Sequence, residues 1–371
     1  MHITYRFRAV ISCVLAASLC GASLGLRGAR DVQSAAALRQ GETFRYGGFS
    51  REAFPALIGT WLRAGKYRPF TSAASPAFPI PELAAGYVPQ GMCYSRALGC
   101  FALAYYFPDG KRPSLLALVD AESRAFVKAV YLLGPGGLPY TGHAGGAAAW
   151  GEHVWVTSGG RAWRLAAEDL RRAQNGGTVR FRDSFRPASR GGFAFTAGDM
   201  LWIGDSYAPG HSRSLPDGHL DAESGNYAWC VGYPLDEESP TGIAGRPAAV
   251  LSIQDFAQGA CVAATGEFMV SASFTASAPS WLWIYPPLRG ILEQPPKREA
   301  AIDKRPVPLW VIEPAMALNR QMLAPMSEGV CAYDGAIYTF YESAALRYRE
   351  QAEMYADYVF AMEERDIVFK R

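Results

Sequence analysis

One short pattern recurs five times along this chain, and it limits the architectures open to it more than any other feature. The copies are Val88-Pro-Gln-Gly-Met-Cys-Tyr94, His143-Ala-Gly-Gly-Ala-Ala-Ala149, Ser189-Arg-Gly-Gly-Phe-Ala-Phe195, Phe256-Ala-Gln-Gly-Ala-Cys-Val262 and Met326-Ser-Glu-Gly-Val-Cys-Ala332. Each reads Gln, Gly or Glu, then Gly, then any residue, then Cys or Ala. The anchoring glycines are Gly91, Gly146, Gly192, Gly259 and Gly329, at successive spacings of 55, 46, 67 and 70 residues. A fixed unit repeated at this period marks a chain built from stacked supersecondary units.

After each copy comes a turn and a second apolar or aromatic run: Cys100 to Tyr106, His153 to Ser158, Met200 to Asp205, Phe268 to Phe274 and Ile337 to Glu342. The turns Gly151-Glu152, Gly198-Asp199, Gly266-Glu267 and Asp334-Gly335 are hairpin signals, Asp-Gly the strongest. Third runs follow at Ser114 to Val119, Ala162 to Leu165, Trp229 to Tyr233 and Trp281 to Tyr285. Fourth runs are visible at Phe126 to Leu132 and Tyr358 to Met362. Aromatic and β-branched residues suit pleated strands, and four antiparallel strands per unit describe a propeller blade. The expected fold is therefore all-β: a β-propeller of five four-stranded blades, over residues 87–371. The wide third and fourth spacings place insertions at Tyr207 to Tyr227 and Pro286 to Pro308, both expected as surface loops.

Blades crowd at a propeller axis, and glycine permits the closest backbone approach. The Cys/Ala position two residues later also admits only a small side chain. Cys93, Cys261 and Cys331 are thus expected as small buried hydrophobes, in the place of Ala148 and Ala194, rather than as redox or metal residues. Hairpin register sets Cys100 opposite Ser95, against a Cys93–Cys100 disulfide. The five cysteines beyond residue 25 are odd in number and include no C-x-x-C pair, which argues against a disulfide framework and a zinc site.

Residues 26–86 precede the repeats. Phe54, Leu57, Ile58, Trp61 and Leu62 share one face of an amphipathic helix, and Pro55 fits its first turn. Thr71 to Pro81 reads as an extended connector. Residues 1–25 read as a signal peptide or membrane anchor: Arg6 and Arg8 precede an uncharged stretch from Ala9 to Leu26, with Ala22 and Gly25 as cleavage positions. Lipidation at Cys20 is a third reading, and all three place the protein outside the cytoplasm, in the periplasm, cell envelope or medium. A membrane contact is expected only through that segment. With a net charge of +2 and no basic cluster, nucleic acid is not an expected partner.

The residue before each glycine, with the end of each second strand, should converge on the channel mouth. This makes Gln90, His143, Arg190, Asp205, Gln258, Glu328 and Glu342 the candidate ligand-binding residues, with His143 the candidate catalytic base. The partner expected there is a small molecule, a glycan or a protein. Crowded carboxylates repel unless a cation or a proton relieves them, and oxygen donors suit a hard ion, so Glu328, Glu342 and Asp205 are candidate Ca²⁺ ligands. His211 and His219, with Asp217, Asp221 and Glu223, match no metal-ligand spacing and read as a solvated loop. His153, at the start of a strand, reads as structural. No G-x-S-x-G, H-E-x-x-H, P-loop or dinucleotide fingerprint is present.

At Val88-Pro-Gln-Gly, His143-Ala-Gly-Gly, Ala257-Gln-Gly and Phe340-Tyr-Glu-Ser-Ala344 the chain resembles a group of uncharacterised secreted bacterial propeller proteins, over most of residues 86–371. More distantly it is similar to gluconolactonase-like and strictosidine-synthase-like propellers. That resemblance implies a divalent cation held by an acidic residue before glycine, and Glu328 in Ser327-Glu-Gly fits that place. The family's Asn and Asp ligands have no counterpart here. Two functions follow as expectations: ligand or partner binding at the channel mouth, or a cation-dependent hydrolase of lactonase or esterase type.

Overall fold

A computed structural model describes residues 65–208 and 225–368. The targeting segment expected over 1–25, the helix expected over 54–62 and the insertion residues His211, Asp217, His219, Asp221 and Glu223 lie outside the described residues.

The chain lays down β1 (Ser75–Pro79) and then five antiparallel sheets arranged as the blades of a propeller. Blade 1 holds β2 (Val88–Ser95), β3 (Cys100–Tyr106), β4 (Leu115–Asp120) and β5 (Phe126–Leu133). Blade 2 holds β6 (Gly146–Trp150), β7 (His153–Ser158), β8 (Arg161–Ala166) and β10 (Asp183–Phe185); before β10, the short β9 (Thr178–Arg180) adds in parallel to the outer edge of blade 1. Blade 3 holds β11 (Phe193–Ala197), β12 (Met200–Gly204), β13 (Ala228–Pro234) and β14 (Ala249–Ile253). Blade 4 holds β15 (Ala257–Val262), β16 (Glu267–Ala272), β17 (Ser280–Pro287) and β20 (Asn319–Leu323). Blade 5 holds β21 (Ser327–Tyr333), β22 (Ala336–Tyr341) and β23 (Tyr358–Glu363). The first strand of each blade packs on the first strands of both neighbours, and β21 meets β2 to close the ring.

The closure corrects two expectations. The stretch Thr71 to Pro81 is more than a connector, because β1 within it pairs with β23 and becomes the outer strand of blade 5. Tyr358–Glu363 is accordingly the third strand of that blade, and the propeller begins near Ser75 rather than at 87. Joining the first and last strands of the propeller in one sheet stops the ring from opening at its seam. Phe78 of β1 is fully buried, with its ring 5.3 Å from that of Phe101 in blade 1.

The fourth-blade insertion is also more than a surface loop. It forms a short helix (Leu288–Leu292) and a hairpin of β18 (Arg298–Ile302) and β19 (Arg305–Val311). β19 then pairs in parallel with β14, extending blade 3 to six strands. Alternate residues of the hairpin (Ala300, Ile302, Val307, Leu309) face the core between blades 2 and 3. Burial of apolar area at about 25 cal/mol per Å² draws this insertion onto the sheet.

The glycine slots appear in four blades. A β-carbon on Gly91 would stand 2.5 Å from Ala147 N, one on Gly329 2.5 Å from Met92 N, and one on Gly259 2.7 Å from the Glu328 carbonyl. On Gly146 it would meet Ala194 N at 2.5 Å and Phe193 C at 2.6 Å. Backbone here touches backbone. These contacts place Phe193, not Gly192, in the third slot, so Phe195 rather than Ala194 occupies the position of Cys93, Ala148, Cys261 and Cys331. The left-handed residues that open the inner strands agree. Ala144 and Gly191 lie two residues before slots 146 and 193, while Phe256 and Met326 lie three before slots 259 and 329. Gly204, paired with Phe193, leaves room for its ring.

All five cysteines of the described residues are buried free thiols, with Cys100 opposite Ser95 as expected.

Candidate ligand-binding site

Gln90, Gln258 and Glu328 share more than a place before glycine. The register of the innermost strand pair shifts between Pro89 and Gly91, between Ala257 and Gly259, and between Ser327 and Val330. Each residue therefore sits in a β-bulge, the device by which a strand re-aims one side chain out of the ladder. Blades 2 and 3 begin their inner strands at the slot itself and carry no such residue. Below the bulges the inner strands close on one another. Gly91, Gly146, Gly259, Gly329 and Ala194 surround a cavity of about 10 Å³ at the axis, with Gln258 beside it, room for about one water. The mouth thus has a floor.

At the junction of blades 5 and 1 the predicted residues meet. Glu342 follows the end of β22 and enters a single helical turn, with its backbone N–H bonded to Met326 O at 2.8 Å. Its Oε1 accepts from Gln90 Nε2 at 3.1 Å and from the Tyr106 hydroxyl at 3.2 Å. Tyr106 reaches the same face because β3 runs antiparallel to β2, setting Tyr106 opposite Val88. The Tyr106 and Tyr348 hydroxyls are 3.1 Å apart, and the Tyr106 and His143 rings lie 4.4 Å apart between centroids. Glu328 is the Glu342 carboxyl's acidic neighbour. It is 5 % exposed, and no donor among the described residues reaches its carboxyl.

The electrostatics follow from this burial. Desolvation, then repulsion from Glu342, raises Glu328 well above the ordinary carboxyl range and favours its protonated form. Desolvation also lifts Glu342, to about 7, while Tyr106, Gln90 and the charge of Arg347 oppose the rise. Burial and the Glu342 carboxylate push the Tyr106 phenol up. His143 is exposed on one side and enclosed by protein on the others, and this desolvation lowers its pKa and leaves the ring neutral at pH 7.

The other candidates do not join this cluster. Asp205 is 1 % exposed and committed to its own blade: Oδ2 accepts from Trp229 Nε1 at 2.8 Å, and Oδ1 accepts from the Arg190 backbone N–H. Burial still raises its pKa to about 6. Arg190 contributes that N–H and a carbonyl accepting from Gly160 N at 2.8 Å, while its side chain is exposed. The three-carboxylate calcium set expected from sequence therefore does not assemble, and among the described residues no three His, Cys, Asp or Glu groups form a metal-ligating cluster. Two carboxyls remain, both raised by burial, and a shared proton relieves their repulsion. Tyr348 is the member of the cluster that sequence reasoning missed. It lies outside the repeated motif, beside Tyr106 only through the fold.

No protein-family model matches the chain, and none of the curated proteins matches it in sequence. Among solved structures, it is similar over 78 % of its length to a glutaminyl cyclase from Myxococcus xanthus, covering 94 % of that chain at 11 % identity and a TM-score of 0.40. It is similar over the same share to the PQQ-bound form of an aldose sugar dehydrogenase from Streptomyces coelicolor, covering 97 % of that chain at 12 % identity and a TM-score of 0.40. These are likenesses of fold alone, among β-propellers.

Proposed function

We propose that this protein is an exported β-propeller that binds a small polar molecule at the channel mouth, where Gln90, Tyr106, Glu328 and Glu342 meet at the junction of blades 5 and 1. The observation that carries the reading is Glu328. Glu328 is 5 % exposed, lies beside a second carboxyl and receives no hydrogen bond from the described residues, so a ligand that donates to it supplies a bond the fold does not. Gln90, Tyr106, His143, Glu342 and Tyr348 surround the place with donors, acceptors and ring faces. Export rests on the positively charged, then uncharged N-terminus and on the resemblance to secreted propellers.

The test is a thermal-shift series on the purified protein with glucose, gluconolactone, butylguanidinium and calcium chloride, repeated on Glu328→Gln and Glu342→Gln. A shift from one of these probes that both variants lose supports the reading. The same shift in parent and variants, or none from any probe, overturns it.

A second reading draws on the same pair. Two carboxyls whose environments hold them at different pKa values are suited to acid and base roles, with protonated Glu328 as the acid and Glu342 as the base of a lactone or ester hydrolysis. Gluconolactone turnover abolished by Glu342→Gln would favour it over binding alone.

A further inference from the structure

Building on the binding reading, we propose that the ligand of this cluster is an organic cation, an alkylguanidinium or alkylammonium, held by the Glu328 and Glu342 carboxyls beside the Tyr106, Tyr348 and His143 rings. Four observations point to this class.

The first is the charge inventory. The titratable and charged groups around the pair are Tyr106, Tyr348, His143 and Arg347, and none of them forms an ion pair with either carboxyl among the described residues. Glu342 receives only the neutral donors Gln90 and Tyr106. Arg347 acts on Glu342 from a distance. Its Nη1 donates to Pro108 O at 3.3 Å and its guanidinium lies 5.4 Å from the Tyr348 ring centroid.

The second is the form of the acceptors. Calcium takes six to eight oxygen ligands, and the cluster offers two carboxyls with no third acid. A guanidinium presents planar N–H donors that match carboxylates, and an ammonium presents three. The third is the phenol edge of the cluster: the Tyr106 hydroxyl meets Glu342 Oε1 and the Tyr348 hydroxyl, so neutral oxygen acceptors stand beside the carboxyls.

The fourth is that the same two blades already hold a guanidinium this way at their opposite end. There Arg124 from the β4–β5 turn lies 5.2, 5.4 and 5.0 Å from the Phe101, Tyr333 and Tyr338 ring centroids, and donates to the Tyr338 hydroxyl at 2.5 Å. Aromatic rings and two oxygen acceptors, the Tyr338 hydroxyl and the Ala121 carbonyl, satisfy that half-buried cation. The mouth end offers the same chemistry, with carboxyls added, to a cation from outside.

Binding then has a proton balance. Burial and mutual repulsion favour a proton on the pair, and a bound cation favours ionisation of both carboxyls. The proton therefore leaves to the buffer as the ligand enters.

Titration calorimetry of the purified protein with butylguanidinium and butylammonium, at pH 7 in phosphate and in HEPES, reads this directly. The expected result is binding with about one proton released, and an affinity that rises with pH by up to about tenfold per unit below the pKa of the displaced proton. Glu328→Gln and Glu342→Gln should lose at least tenfold in affinity, and Tyr106→Phe a smaller factor, with all three folded by circular dichroism. Butanol and butyrate should not bind. Cation binding that releases no proton, or that survives in both glutamine variants, overturns the proposal. If butanol or glucose binds in place of the cations, and both variants abolish it, the cation class fails while the binding site stands. If no probe binds, both fail.

Discussion

The ring of Phe193 lies over Gly204 across the inner hairpin of blade 3, so closely that a β-carbon on residue 204 would stand 2.5 Å from Phe193 Cε2 and nearer still to Cζ. The other four blades put glycine in the slot and a larger residue near it. Blade 3 exchanges the two. A double-mutant cycle checks this: Gly204→Ala alone should cost about 1–3 kcal/mol through overpacking, and Phe193→Ala about 3–5 kcal/mol through the cavity it leaves. The double variant should lose less than the sum, because each change relieves the other. Strict additivity in urea unfolding would show that the two residues do not share a slot.

Gly91→Ala places a methyl group against the backbone of blade 2, where neither side can yield cheaply. It should lower stability by about 1–3 kcal/mol or more. Gly290→Ala is the matched control. Residue 290 lies in the helix Leu288–Leu292, and nothing stands within 4 Å of its added carbon. That variant should be neutral or up to about 1 kcal/mol more stable. Thermal unfolding distinguishes the two, and equal losses would count against the ring of backbone contacts.

Stability should fall as pH rises from 5 to 8. Glu342 has a folded pKa of about 7 against an ordinary 4.5, Glu328 is raised further, and Asp205 is raised to about 6 from 3.8. The native state therefore binds more protons than the unfolded chain over this window, so its stability is fullest below the unfolded pKa values and is lost through the folded ones, at up to about 1.4 kcal/mol per unit per group. Most surface carboxylates are ionised in both states there and contribute little. Melting temperatures at pH 5, 6, 7 and 8 should decline, with a flatter slope in Glu342→Gln. A rise across that range would contradict the burial of the pair.

The seam between β1 and β23 should be the weak point of the ring. Phe78→Ala removes a fully buried ring that packs on Phe101 and should cost about 3–5 kcal/mol. Limited proteolysis of that variant should cut first within residues 65–87, while Phe268→Ala in blade 4 should show no such preference. Cleavage elsewhere first would mean that the seam does not limit opening.

Much of this molecule was legible because the signals were local. Asp334-Gly335 joins Tyr333 to Ala336, with positive φ at both turn residues, and turn chemistry of that kind acts over two residues. The strands Cys100–Tyr106 and His153–Ser158 follow from runs of β-forming residues that ended where the sequence indicated. Gln90, Glu328 and Glu342 were found because they repeat or end a repeated hairpin. Asp205 looked equivalent to Glu342 on the same grounds, yet it serves Trp229 and the Arg190 backbone. A strand end fixes which face a side chain reaches, not which neighbour is within hydrogen-bonding distance.

By itself the amino-acid sequence determined five blades, the glycine slots of four of them, the burial of Cys93, Cys261 and Cys331 and the face on which Gln90, Glu328 and Glu342 gather. These follow from steric and turn preferences that each short segment carries alone. Only the tertiary structure decided that β1 completes blade 5, that the Pro286 to Pro308 insertion joins blade 3, that Phe193 takes the third slot, and that Tyr348 and His143 flank Tyr106 beside Glu342. Each of those depends on packing between blades, which brings together residues from tens to hundreds of positions apart. The physical reason is that pairing across blades is selected by the packing of the whole ring, and no local propensity encodes it.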